Sequence, residues 1–461
     1  MMSLDVVILA AGQGTRMRSR RPKVLHPLAG KPMVRHVIDT AVTLDTNHLH
    51  LVIGHGGDQL RQALEGDADR LRLRFALQEE QKGTGHAVAQ VLDKLGPDKV
   101  LVLYGDVPLI RRETLVSLLE EVDEGHMALL TVTLDNPSGY GRIVRDTQGR
   151  VIAIVEQKDA SQDQLGIREC NTGIMAMTST QLKRWLPRLS ADNAQGEYYL
   201  TDVIAMAAQE GVGIATAQPA TPSEVEGVNN RAQLAALERA YQQEIAERLM
   251  VEGVALADPT RLDVRGSLHC ERDVEIDVGC VFEGEVELGE GVRIGPYCVI
   301  RQSHIGAGSV VESHSIIEHS VAAGHNHIGP FARLRPGTHL AAKAKVGNFV
   351  ETKNVQVGEA SKINHLSYVG DATLGRDVNI GAGTITCNYD GANKHRTELG
   401  DGVFIGSNSA LVAPVSIGSG ATIGAGSTIS KDVADNTLAV SRARQTSKNG
   451  WSRPTKAAQD Q

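Results

Sequence analysis

From about residue 258 onward, an aliphatic residue followed directly by glycine keeps returning. The pair begins at Leu288, Ile294, Ile305, Ile328, Val346, Val357, Val369, Leu374 and Ile380, and again at Leu399, Ile405, Ile417 and Ile423. The intervals are multiples of six, or within one of them. A six-residue period with one inward aliphatic and one turn residue is the signature of a parallel β-helix. Each coil stacks its aliphatic residues on the next, so the core is a column of Ile, Leu and Val. An ordinary β-sandwich does not produce a sixfold period over so long a stretch.

One segment breaks the rhythm. Cys387–Thr397, C-N-Y-D-G-A-N-K-H-R-T, is polar and turn-forming. It reads as a loop thrown out of the coils, and such interruptions are where a solenoid places its chemistry.

Upstream the pattern is different. Short apolar runs at Val6–Leu9, Leu49–Ile53, Val100–Tyr104, Met127–Leu134 and Val151–Val155 alternate with amphipathic stretches. Continuous apolar strands between helices indicate an α/β sheet covered on both faces. Ligands of such sheets bind beyond the carboxyl ends of the strands. Between the halves, Leu234, Leu237, Tyr241, Ile245 and Leu249 recur at steps of three and four and predict one long helix ending near Gly253. The expected organisation is α/β plus all-β. Residues 1–228 form a Rossmann-like domain, 229–252 a linker helix, and 253–461 a β-helix with a C-terminal tail.

At 461 residues the chain is too long for one core. Its 41% hydrophobic and 22% charged content fits a globular protein. The net charge of -8 argues against nucleic acid as the main partner. No apolar run approaches the length of a membrane span, and the start of the chain lacks the pattern of a signal peptide. The cysteines (Cys170, Cys270, Cys280, Cys298, Cys387) are odd in number and form no C-x-x-C pair. Free thiols in a reducing, cytoplasmic setting are the expectation.

The first strand runs into L-A-A-G-Q-G-T-R-M at residues 9–17. Gly12 and Gly14 let backbone approach a phosphate closely, and Arg16 can pair with it. Met17 stands where a dinucleotide fold would need a third glycine, and a P-loop's Gly-Lys-Ser/Thr is missing. Lys23 follows in P-K-V-L-H, and Gln78–Gly85 adds a Gly-Thr-Gly turn. Val100–Leu103 then leads into Y-G-D-V-P-L, placing Asp106 at a strand's carboxyl end, where a carboxylate suits Mg²⁺ beside phosphates. In the β-helix, Arg335, Lys353, His365 and Tyr368 stand out, with Asn379 and the Asn388–Tyr389 loop nearby in sequence or one coil away.

These motifs, with G-Y-G-R-I, V-E-Q-K-D, N-T-G-I and E-V-E-G-V-N-N, occur in order over nearly the whole chain. Together they resemble the bifunctional N-acetylglucosamine-1-phosphate uridyltransferase/glucosamine-1-phosphate acetyltransferase family. The resemblance implies a pyrophosphorylase domain followed by a left-handed β-helix of hexapeptide repeats. It implies that Leu9, Ala10, Ala11, Gly12, Gln78, Gly83, Thr84, Tyr104, Gly105 and Asp106 hold the uridine nucleotide, together with Lys23. Gly141, Glu156, Asn171 and Asn229 would hold the sugar, and Asp106 and Asn229 would carry Mg²⁺. Arg16 and Lys23 would stabilise the transferring phosphoryl group.

For acetyl transfer the resemblance implies His365 as general base. Arg335, Lys353, Tyr368 and Asn379 would bind glucosamine-1-phosphate. Ala382, Asn388, Tyr389, Ser407, Ala425 and Arg442 would contact acetyl-CoA. It further implies a cytoplasmic homotrimer whose acetyl sites lie between subunits. Such an enzyme acetylates glucosamine-1-phosphate, couples N-acetylglucosamine-1-phosphate to UTP, and feeds peptidoglycan and lipopolysaccharide synthesis. The tail S-R-A-R-Q departs from the family pattern, so contacts of Arg444, Lys448, Arg453 and Lys456 with CoA phosphates do not carry over.

Two other readings compete. A single-activity sugar nucleotidyltransferase with a structural β-helix would not require the Lys353, His365, Tyr368 and Asn388–Tyr389 set. A trimeric scaffold without catalysis would not require Asp106, Asn229 and Lys23.

Overall fold

The computed structural model describes residues 3–96 and 98–456. The chain divides into two compact units, 1–244 and 245–461.

In the first unit, strands lie in the spatial order Gly213–Ala217, His126–Thr133, Glu169–Thr178, Lys99–Tyr104, Leu4–Ala10, His48–Ile53, Leu73–Leu77. The last four of that order are mutually parallel, and Leu4–Ala10 is buried along its whole length. That burial explains the unbroken apolar run: helices cover both faces, so no position of this central strand faces water. Val6, Ile8, Leu49, Leu51, Leu101 and Leu103 fill the core on one face. Val7, Leu9, Val52, Val100 and Val102 fill the other. The Glu169–Thr178 strand runs antiparallel to both neighbours, with a register shift between Asn171 and Met175. Thr172–Ile174 fall between the two registers, and Thr172 and Gly173 line a cavity together with Tyr104, the last residue of the Lys99–Tyr104 strand.

The expected long helix is present at Arg231–Val251. Leu237, Ile245 and Leu249 are buried, and Leu234 and Tyr241 half-buried. The helix stops at Gly253, whose φ of 101° continues no right-handed helix and whose N–H bonds to the Met250 carbonyl. The two units divide within this helix, between Glu244 and Ile245.

The second unit is a parallel β-helix. Ile294, Val311, Ile328, Val346, Ile363, Ile380, Ile405 and Ile423 are successive partners in one ladder, each on the coil above the last. All of them are buried. The step from Ile380 to Ile405 is longer than the rest, because Asn388–Arg396 leaves the coil between strands Ile385–Cys387 and Thr397–Leu399. The glycines after the aliphatics pack against the next coil: a Cβ at Gly347 would stand 2.0 Å from the Asn364 carbonyl oxygen. The five cysteines are free. Burial pushes the thiols of Cys280 to about 11 and of Cys298 to about 12, so they stay protonated core groups.

Ile328 is fully buried between coils. Ile328→Ala should cost about 2–5 kcal/mol through lost burial and an unfilled gap. Denaturant unfolding of the second unit should show this as a lower midpoint with an unchanged slope.

Candidate active sites

The first site lies at the carboxyl ends of the Leu4–Ala10 and Lys99–Tyr104 strands. Two adjoining cavities, about 330 and 400 Å³, share Tyr104 and Asp106. The first is lined by Leu9, Ala10, Ala11, Gly12, Lys23, Gln78, Gly83 and Thr84. The second is lined by Arg16, Gly141, Glu156, Asn171 and Asn229. Apart from Gly105, which lines neither, the residues expected to hold nucleotide line the first chamber and those expected to hold sugar the second, with Tyr104 and Asp106 bordering both.

Local geometry shows why these residue types recur. Gly14 has φ 62°, and a Cβ there would stand 2.7 Å from Cβ of Lys23. The glycine loop can therefore fold directly over the lysine. The Lys23 ammonium donates to Asp106 Oδ2 and, at 3.4 Å, to Asn229 Oδ1. Arg16 Nη2 donates to the same Asn229 oxygen at 2.8 Å. Asn229 comes from far along the chain, delivered by the bond from Val228 N–H to the Asp106 carbonyl at 3.0 Å. Its own N–H donates to Gln233 at 2.8 Å, at the start of the long helix.

Between the chambers, Gly173 has φ 84°, and a Cβ there would meet the Tyr104 ring at 2.5 Å. Burial, then the charges of Glu156 and Asp106, raise the Tyr104 hydroxyl well above its usual pKa, so it stays a neutral hydrogen-bonding group. Burial also raises the Glu156 carboxyl, against a hydrogen bond from Thr201. Gly141 pairs with Asn171 through the Asn171 N–H at 2.9 Å.

The second site lies on the β-helix. Arg335 follows the Arg333–Leu334 strand, and its N–H donates to the Thr352 carbonyl, which sets it beside Lys353 on the next coil. Its guanidinium donates to Glu351 at 2.7 Å. Lys394, from the expelled loop, lowers the Lys353 ammonium below its usual value, and Arg335 adds to the effect. Burial works against ionisation of Asp371. Hydrogen bonds from Asn354 and Asn388, with the charges of Lys394 and Lys353, nevertheless hold its carboxyl below the usual range. Asn388 also donates to the Tyr368 hydroxyl at 3.4 Å. The exposed imidazole of His365 is 2.8 Å, Nδ1 to Oδ1, from Asn348, its ladder partner one coil below. Asn379 stands one coil above Lys362.

Ala382, Ser407 and Ala425 occupy equivalent corners of three successive coils. Asn408 N–H donates to Ala382 O, and Gly426 N–H to Ser407 O. Arg442 closes the series, its guanidinium donating to Ala425 O at 2.7 Å. Tyr389 is exposed in the loop. In the tail, Lys448 lies over the Trp451 ring.

Lys394, Asn348, Glu351 and Asp371 were not singled out in the sequence. Lys394 lay in the expelled loop, so a signal existed. Asn348 and Asp371 carry none, because only the coil register brings them beside His365 and Asn388.

A family model described as a MobA-like NTP transferase domain matches residues 6–250, and one described as a GMPPB C-terminal domain matches 264–357. One described as bacterial transferase hexapeptide (six repeats) matches 396–431. Fold and matches define a nucleotidyltransferase joined to a hexapeptide-repeat transferase. The chain is 70% identical to the bifunctional protein GlmU of Chromohalobacter salexigens, over 99% of this chain and 100% of that one. It is 61% identical to that of Marinobacter nauticus and 60% to that of Stutzerimonas stutzeri, with the same coverage. The chain belongs to the bifunctional GlmU family. It is a bifunctional enzyme, a uridyltransferase and an acetyltransferase in one chain.

Because the folded protein raises the Glu156 pKa, it favours the protonated carboxyl. The strain of holding this group charged is therefore felt above its ordinary pKa and vanishes below it. Glu156→Gln should raise the melting temperature at pH 8, give no gain at pH 3.5, and weaken sugar binding. Calorimetry at both pH values with a sugar-phosphate titration checks the three outcomes.

Proposed function

We propose that residues 1–228 carry uridylyl transfer and 253–461 acetyl transfer, joined by the helix of 229–252. Acetyl-CoA would first acetylate glucosamine-1-phosphate; UTP and N-acetylglucosamine-1-phosphate would then give UDP-N-acetylglucosamine and pyrophosphate. The observation that carries the first assignment is the single ammonium of Lys23 bound by both Asp106 and Asn229. Two oxygen donors converging on one cation, at the mouth of a glycine loop, suit Mg²⁺ beside a triphosphate. Mg²⁺ bound by Asp106 and Asn229 would supply charge neutralisation on the α-phosphate.

The chain's own groups do the rest. Backbone at Leu9–Gly12, with Gln78, Gly83 and Thr84, fixes the nucleotide. Gly141, Glu156, Asn171 and Asn229 fix the sugar. A sugar phosphate oxygen attacks the α-phosphorus in line as its bond to the β-phosphate oxygen breaks. Arg16 and Lys23 balance the charge that gathers there. Positioning and charge suffice, and no protein nucleophile takes part.

In the second site Arg335 and Lys353, with Lys394 beside them, form a cation cluster suited to a phosphate monoester. Tyr368 and Asn379 would hold the rest of glucosamine-1-phosphate. Donation from His365 Nδ1–H to Asn348 leaves the Nε2 lone pair free. The substrate amine attacks the thioester carbonyl, His365 takes the amine proton, and the CoA sulfur leaves as the C–S bond breaks. Ala382, Asn388, Tyr389, Ser407, Ala425 and Arg442 form the acetyl-CoA track. A homotrimer would complete this site with residues of neighbouring subunits. No helix among the described residues is long and apolar enough to cross a membrane. A cytoplasmic location fits both substrates and free cysteines.

Asp106→Ala should abolish pyrophosphate release and leave CoA release unchanged, both followed in one incubation with glucosamine-1-phosphate, acetyl-CoA, UTP and Mg²⁺. His365→Ala should slow acetyl turnover by about 10²–10⁴-fold with little change in apparent acetyl-CoA affinity. Asn348→Ala should slow it less, since the imidazole remains but its tautomer is no longer fixed. Turnover per folded oligomer is the measurement, and a parental rate for His365→Ala would remove the general-base role.

A further inference from the structure

At the sheet edge opposite the catalytic one, three side chains from adjacent strands meet. Asp5 enters the Leu4–Ala10 strand, and His48 and His50 lie on His48–Ile53. Asp5 pairs with His48 in the ladder, and Val7 with His50. Asp5 is 3% exposed and His50 1%, while His48 is 34% exposed and opens the group to solvent. His48 Nδ1 lies 3.4 Å from Asp5 Oδ1, and His50 Nε2 lies 3.9 Å from Asp5 Oδ2. One donor atom from each residue falls within 4.8 Å of the others.

Hydrogen bonding leaves this group unsatisfied. Gly96 N–H donates to Asp5 Oδ2 at 2.5 Å and orients the carboxylate. Asp5 Oδ1 and both ring nitrogens of His50 are buried with no partner. Buried polar atoms are nearly always paired, so three orphans in one cluster call for an explanation. Imidazole nitrogens and carboxylate oxygens are metal-ligand atoms.

We propose that Asp5, His48 and His50 bind a divalent transition-metal ion of the zinc class, with water completing the shell. Ligand bonds of about 2.0–2.1 Å in a tetrahedron place donors roughly 3.3 Å apart; Asp5 oxygens lie 3.4 and 3.9 Å from the two imidazoles, so small side-chain shifts would close the set around an ion. Two borderline imidazole nitrogens beside one hard carboxylate favour Zn²⁺ over Mg²⁺. The ion would pin the first strand to its neighbour, far from the reacting phosphates. Its role is structural.

The test uses the full chain, freed of metal by a chelator and dialysed against Zn²⁺ in excess Mg²⁺, which keeps oxygen-only sites occupied. Bound zinc is counted by mass spectrometry and the melting temperature recorded. The parent should retain one Zn²⁺ per chain and melt higher for it. His48→Ala should lose that equivalent and the zinc-dependent rise, yet match the parent's melting temperature without zinc. His304→Ala, which removes an exposed histidine paired with Glu287 on the β-helix, should keep both. Co²⁺ in place of Zn²⁺ should give tetrahedral visible absorption in the parent and none in His48→Ala. The proposal is overturned if the parent retains no more zinc than His48→Ala, or if the two melt alike in zinc.

Discussion

Parallel strands cannot be joined by a tight turn; each must be reached by a crossover that returns the chain to the same end. Both units obey this constraint in different ways. In the first, helices carry the chain back, and the ends of Leu4–Ala10 and Lys99–Tyr104 open on one edge. The glycine loop and Asp106 meet there because each simply follows its strand. In the second, the crossover is another strand of the coil. Equivalent positions then stack at every turn, as Ala382, Ser407 and Ala425 do. The same pairing rule yields a pocket at a sheet edge in one half and a linear track in the other.

Charge is handled alike in both sites. Each gathers cations before any anion arrives and holds them with polar partners: Lys23 and Arg16 on Asp106 and Asn229, Arg335 on Glu351. Asp371 offsets Lys353 and Lys394 in the same way. Preformed cation clusters suit phosphate-bearing substrates, since the protein need not reorganise when charge builds. The sites differ where their chemistry differs. On the proposed assignment, uridylyl transfer needs no proton taken by the protein, and its pocket presents oxygens and cations. Acetyl transfer must remove one, and on the same assignment the exposed His365, with one nitrogen engaged by Asn348, would take it.

The aliphatic–glycine period determined the β-helix and its inward residues, because every coil repeats one packing problem. Unbroken apolar runs determined a sheet covered on both faces, and the three- and four-residue spacing determined the Arg231–Val251 helix. The glycine loop, Lys23 and Asp106 were legible for the same reason: local backbone demands leave local marks. Tertiary structure alone decided what lies far apart in sequence. The Val228 backbone bond and the shared Lys23 ammonium bring Asn229 to Asp106, and coil register brings Asn348 to His365. Asp5, His48 and His50 look like ordinary strand residues until two strands align. Nothing local marks such partners, because their contact energy comes from pairing across the fold.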